Sequence, residues 1–201
     1  MSLKIAVLVS GSGTNLQALI DRVAEGLDVE IVRVVSSRPE AYGIQRAEAA
    51  GIPVTVMTKD LYDDPDAAAQ IIVDALQAAG AEYIFMAGDM RKCTPVLLNA
   101  FPDRIVNLHP ALLPSFQGAH AIQDAWDAGV KVTGITVHFA NEDYDQGPII
   151  AQSPIAVEEF DTIDTLEEKI HAQEHILYPL VLEWVAADQV HITEDRKVRI
   201  G

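Results

Sequence analysis

A chain of 201 residues, 49% hydrophobic and 22% charged, carries enough apolar material for one substantial core and shows no disordered bias. Its net charge of −16 argues against general binding to nucleic acid or to an anionic membrane, although a local nest of backbone N–H groups can still hold a phosphate. The single cysteine, Cys93, excludes an internal disulfide and a cysteine-based zinc cluster. With no apolar run of about 18 residues and no signal-peptide pattern, the expectation is a soluble, cytoplasmic, single-domain protein over 1–201.

Residues 3–10 (LKIAVLVS) form a nearly continuous apolar run, as expected of a parallel strand buried on both faces. Gly11, Ser12, Gly13 and Thr14 follow, and then Asn15, Leu16, Ala18, Leu19, Ile20 and Val23 take up helical spacing. A glycine loop feeding a helix N-terminus presents unpaired N–H groups and the positive end of the helix dipole, which suits a phosphate. A side chain at Gly13 is expected to obstruct that approach. The loop is neither a dinucleotide fingerprint nor a Walker A motif, because the third glycine and the Gly-Lys ending are missing. Glycines needed only for a tight turn are the competing reading.

Strand and helix signals then alternate: a strand over 31–35, a helix over about 42–50, a strand over 54–57, a helix over about 65–79 and a strand over 83–86. That rhythm predicts βαβ units and a mainly parallel, Rossmann-like sheet with helices on both faces, an α/β fold. The polar loop 87–92 lies at the carboxyl end of its strand, the edge where ligands bind in open α/β sheets, and there Arg91 is a candidate for holding a carboxylate.

Residues 105–120 (IVNLHPALLPSFQGAH) start as an apolar strand and place Asn107 and His109 two apart, on one side of the pleat, before Pro110 and Pro114 break it. An amide donor beside an imidazole that titrates near neutrality is suited to polarising a carbonyl and moving a proton, so acyl transfer is the chemistry to test. The plain alternative is a strand ending in a polar turn with a hydrogen-bonded histidine. A helix over about 121–128 and an alternating, half-exposed strand over 132–139 follow. The loop 141–148, with Asp145 among several polar residues, leads into a strand over 149–156. From Thr165 a long amphipathic helix is expected, kinked or divided at Pro179, and a hairpin over 190–200 ends the chain. Within that helix His171 and His175 match the H-x-x-E-H spacing of inverted zinc peptidases, but nothing nominates a third ligand and no metal is expected.

Five segments together resemble the phosphoribosylglycinamide formyltransferases over nearly the whole chain. They are Gly11-Ser12-Gly13-Thr14-Asn15-Leu16-Gln17-Ala18, Ala87-Gly88-x-Met90-Arg91, Asn107-x-His109-Pro110-x-Leu112-Leu113-Pro114, Asp145-x-Gly147-Pro148-Ile149 and Gln173-Glu174-His175-x-x-Tyr178-Pro179. The resemblance implies that Asn107, His109 and Asp145 are catalytic, that Gly13, Thr14 and Asn15 hold the substrate's phosphate, and that Glu174 meets its glycinamide end. It implies further that Met90, Arg91, Lys92 and Cys93, with Asn107, line a site for 10-formyltetrahydrofolate. The N-terminal half, about 1–100, would then bind phosphate, and the half from about 101 to 201 would carry catalysis and folate binding. The implied partners are small molecules, glycinamide ribonucleotide and formyl folate, on a monomer or homodimer. Asp145 is expected to raise the His109 pKa and keep the ring charged.

The chain departs from that family where relatives have A-G-F-M-R-I-L and it has Ala87-Gly88-Asp89-Met90-Arg91-Lys92-Cys93. A basic residue often seen near Pro65 is missing, and Gln117 stands where many relatives have lysine or proline. Formyltetrahydrofolate deformylases, which give the formyl group to water, and a catalytically weakened nucleotide- or folate-binding homologue are the alternative readings.

Overall fold

The computed structural model describes residues 2–88 and 92–201. In chain order it holds β1 (Leu3–Val9), α1 (Thr14–Ala24), β2 (Val29–Ser36), α2 (Gly43–Ala49) and β3 (Val54–Val56). A 3-10 turn (Lys59–Asp63), α3 (Pro65–Ala78), β4 (Tyr83–Met86), α4 (Pro95–Ala100) and β5 (Ile105–His109) come next. The remainder is α5 (Ala121–Asp127), β6 (Val132–Phe139), β7 (Ile149–Ala156), α6 (Ile163–Ala186), β8 (Val190–Ile192) and β9 (Val198–Ile200). Seven strands form one sheet in the order β3-β2-β1-β4-β5-β6-β7, and β8 and β9 form an antiparallel hairpin. Contacts divide the chain into two compact units, Met1–Asn107 and Leu108–Gly201.

In the first unit every strand pair is parallel: β1 with β2, β2 with β3, β1 with β4 and β4 with β5. The apolar run of β1 reads as it does because Ile5, Ala6, Val7 and Val9 are fully buried, which only a central strand covered on both faces achieves. Leaving β1, the chain moves outward to β2 and β3, then returns to β4 on β1's other side. Right-handed crossovers therefore put α1 and α2 on one face and α3 and α4 on the other, and α1 does pack with α2 and α3 with α4. Between β1 and β4, where the strand order reverses, the carboxyl ends of the strands open the crevice that ligands use in such sheets. Ser10 Oγ donates to the Gly88 carbonyl at 2.5 Å and ties the two strand ends together there.

Local sequence sets the helix starts in this unit. Asp64 caps α3 by accepting from the backbone N–H of Asp66 and Ala67 at 3.2 and 3.1 Å, and Pro65 fills the first helical position, where its missing N–H costs nothing. The helix then buries Ala68, Ala69, Ile72, Val73 and Leu76; each large aliphatic among them contributes about 1.5–3 kcal/mol. The short α4 carried no sequence expectation, its six residues being too few for a period to show.

In the second unit β6 and β7 pair antiparallel. Residues 132–139 were expected to be a half-exposed strand, but seven of the eight are buried and only Val132 is exposed. The alternation is misleading because Thr133, Thr136 and His138 are polar and yet buried. Gly134 lets the backbones close up, since a Cβ there would meet the Ser153 carbonyl oxygen and lie 2.8 Å from Leu112 Cδ2. Helix α6 starts two residues before the expected Thr165, behind a capping box of Thr162 and Thr165. It runs as one helix through the buried Pro179, so of the expected kink or division the division does not occur. Packing of Leu166, Ile170, Leu177, Tyr178, Val181 and Leu182 outweighs the single backbone hydrogen bond that proline removes.

Candidate active site

The glycine loop is shaped by packing before it meets any ligand. Gly13, at φ 70°, ends the loop as the N-cap of α1 in the left-handed region. A Cβ on it would stand 2.6 Å from Gly43 Cα, so α1 and α2 approach here backbone to backbone. The Gly43 N–H donates to the Gly11 carbonyl at 3.1 Å, and Arg46 Nε donates to the Ser12 carbonyl at 2.9 Å. Thr14 is the first helical residue and Asn15 is buried. Gly11, by contrast, has open space where a Cβ would go.

Of the residues expected to meet folate, Met90 and Arg91 lie outside the described residues, as does Asp89. Exposed Lys92 and half-buried Cys93 line a 320 Å³ cavity with Tyr62, Pro65, Leu8 and Met86. Its walls are mainly apolar, and Cys93 Sγ lies 3.6 Å from Met86 Sδ. Asn107 pairs in register with Met86 on β4, and His109 ends the same strand two residues on.

Four buried polar groups converge in the second unit: His109, His138, Asp145 and Glu174, each 5% exposed or less. Asp145 is the hub. His109 Nδ1 lies 3.4 Å from its Oδ2, His138 Nε2 lies 3.7 Å from its Oδ1, and the Gly118 N–H donates to Oδ2 at 2.9 Å. Gln117 Nε2 donates to the Asp145 carbonyl at 3.3 Å, so the residue that departs from the family pattern helps to hold the loop. Asp145 has φ 57°, a left-handed conformation that aspartate tolerates better than most residues. Two residues on, a Cβ at Gly147 would collide with the Phe139 carbonyl, which is why this loop requires glycine there. The turn after β5 is fixed from beneath: Thr136 Oγ1 donates to the Ala111 carbonyl at 2.7 Å and accepts the Leu113 N–H at 3.0 Å. Gln152 Nε2 donates to the Leu113 carbonyl at 2.9 Å.

The electrostatics follow from this geometry. Burial pushes Asp145 up, but the His138 hydrogen bond, the Gly118 N–H and the charge of His109 together hold its carboxyl below the usual 3.8. Burial lowers the His109 pKa below the usual 6.5; the Phe116 carbonyl and Asp145 pull it up, His138 pushes it down, and burial wins. The expectation that Asp145 keeps the ring charged is therefore right in sign and wrong in outcome. Nε2 of His109 lies 2.8 Å from the Phe116 carbonyl while Nδ1 faces the carboxylate, so only the imidazolium would satisfy both contacts. The ring is thus poised between a dry site that disfavours charge and two acceptors that favour it.

Glu174 acts on His109 electrostatically and also receives His171, whose Nδ1 lies 3.0 Å from Glu174 Oε2. Within the H-x-x-E-H segment His171 therefore serves a carboxylate, its Nε2 also facing Glu167 at 3.6 Å. His138 escaped the sequence reading. Its one signal was a titratable residue inside a strand, and its ring is locked by Nδ1 lying 2.9 Å from the Phe139 carbonyl.

The sheet thus carries at a strand end a buried histidine–carboxylate pair, of a kind suited to moving a proton. The formyl transferase family pattern matches residues 3–182. A phosphoribosylglycinamide formyltransferase of Bacillus subtilis is 42% identical over 90% of this chain and 93% of its own length. The bovine trifunctional purine biosynthetic protein adenosine-3 is 39% identical over 97% of this chain, which spans 19% of that longer protein. Among solved structures, glycinamide ribonucleotide transformylase 1 from Symbiobacterium toebii superposes with a TM-score of 0.95 at 42% identity, covering 99% of this chain and 94% of that one. The chain belongs to the formyl transferase family, among its phosphoribosylglycinamide formyltransferases.

Proposed function

We propose that the protein transfers the formyl group of 10-formyltetrahydrofolate to the amine of glycinamide ribonucleotide, a step of purine synthesis carried out in the cytoplasm. The observation that carries this reading is the buried His109–Asp145 pair at the end of β5, with Asn107 two residues before it.

Attack of the amine on the formyl carbon makes an N–C bond and puts negative charge on the carbonyl oxygen. The Asn107 amide donates a hydrogen bond to that oxyanion. Because burial disfavours the charged ring, His109 can accept the proton that the attacking amine sheds, at Nε2 once that nitrogen turns from the Phe116 carbonyl toward the substrate. Asp145 stabilises the resulting imidazolium, which donates the proton to the folate nitrogen as the C–N bond to folate breaks. Formyl amide and tetrahydrofolate result, with every proton accounted for.

The binding assignments extend this reading. Gly13, Thr14 and Asn15 hold the phosphate through the N-terminus of α1, and Glu174 receives the glycinamide end. Lys92 and Cys93, with Met90, Arg91 and Asn107, serve the folate. The apolar cavity beside Lys92 and Cys93 supports this, since it offers a wall for an aromatic ring and a cation for a carboxylate. An assay that supplies formyl folate with and without glycinamide ribonucleotide tests the whole. Formylated amine formed in step with tetrahydrofolate is expected; free formate released at the same rate without the ribonucleotide would mean transfer to water instead.

A further inference from the structure

His171 and Glu174 lie one turn apart on α6, and their side chains differ sharply in exposure: 46% for His171 and 6% for Glu174. A buried carboxylate is thus met by a donor that reaches in from the helix surface, with Nδ1 3.0 Å from Oε2. The hydrogen bond to Glu174 raises the His171 pKa above 6.5 against the opposing effect of burial, and the charges of Glu174 and Glu167 add to it. Glu167 is the more exposed acid and the more distant, at 3.6 Å, so Glu174 is the principal partner. From β5, His109 feels the Glu174 charge as well, which sets this carboxylate within the electrostatic field of the catalytic ring.

We propose that His171 is a positioning residue for substrate recognition: by donating from Nδ1 to Oε2 it fixes the Glu174 carboxylate in the orientation that receives the amine-bearing end of the ribonucleotide. The inference rests on Glu174 meeting that end of the substrate, as proposed above. A glutamate with three free torsions loses rotamer freedom when it binds a ligand, and a side chain already held in place loses less. His171 therefore acts on binding, through Glu174, and leaves the chemical step to His109.

Steady-state kinetics of single and double variants test this. His171→Ala should raise KM for glycinamide ribonucleotide by about three- to tenfold, the net size of one ordinary hydrogen bond, with kcat and the KM for formyl folate nearly unchanged. His171→Gln keeps an N–H donor at that place and should recover most of the loss. In a Glu174→Gln background His171→Ala should add little, because the residue through which it acts is already altered. An unchanged KM in His171→Ala, or an equal further loss in the Glu174→Gln background, overturns the positioning role. Should Glu174→Gln by itself leave the ribonucleotide's KM unchanged, the assignment of Glu174 fails and the inference falls with it; a clear Glu174→Gln penalty beside a silent His171→Ala sinks the inference alone.

Discussion

Burial and its neighbours pull the charge of His109 in opposite directions, and that contest yields the sharpest predictions at the scale of single residues. Since burial lowers the His109 pKa and Asp145 raises it, Asp145→Asn should lower it further, and NMR titration of the ring in both proteins measures the difference. If neutral His109 is the base, the acid limb of kcat/KM in the wild type has its midpoint below 6.5, and in Asp145→Asn it moves to still lower pH. An acid limb that stays in place while the ring's pKa falls would separate the two residues as a catalytic unit. His109→Ala should cost about 10² to 10⁴ in turnover, the usual worth of general acid–base catalysis, with ribonucleotide affinity little changed. Asn107 and His109 were legible in the sequence because a strand's period of two puts them on one side. Asp145 was legible only through the D-x-G-P pattern around it, for charge alone does not distinguish it from Glu142 or Asp143. His138 was illegible, because local pattern cannot show that one carboxylate has two imidazoles.

At the scale of elements, the glycine loop changes the meaning of its own test. A side chain at Gly13 does not report on the phosphate's approach alone, because a Cβ there strikes the Gly43 backbone and the residue sits at φ 70°. Gly13→Ala should therefore destabilise the fold by about 1–3 kcal/mol in urea melts, whatever the loop binds. Gly11→Ala asks the phosphate question cleanly, since its Cβ meets open space. Titration with glycinamide ribonucleotide should show weaker binding in that variant if the loop's N–H groups approach the phosphate closely; equal binding would leave the loop an ordinary turn. The alternation of strands and helices could be read because β1 and the helices carry their periods plainly. The depth of β6 could not, because Thr133, Thr136 and His138 look solvent-facing and are buried by pairing with β7 and packing under α6.

For the whole molecule the dominant fact is 30 acidic residues against 14 basic ones. Repulsion among these charges opposes compaction and is screened by salt, with the Debye length falling from about 30 Å at 0.01 M to about 8 Å at 0.15 M. The thermal midpoint should rise with sodium chloride over that range, and a midpoint independent of salt would show that repulsion among the unpaired acids does not limit stability; Asp161, held by Lys169 at 2.7 Å, is among the paired ones. One further reporter of global behaviour lies in the turn after β5. The Leu113 N–H sits outside any strand or helix, yet it donates to the buried Thr136 hydroxyl, whose own proton is held by the Ala111 carbonyl. In deuterated solvent this amide should exchange with the slowness of a core strand, because releasing it requires opening the contacts that hold Thr136 and Gln152 in place. Its protection factor, read at a single resonance, would then give the opening free energy of the Leu108–Gly201 unit under native conditions, and Thr136→Val would release that proton alone.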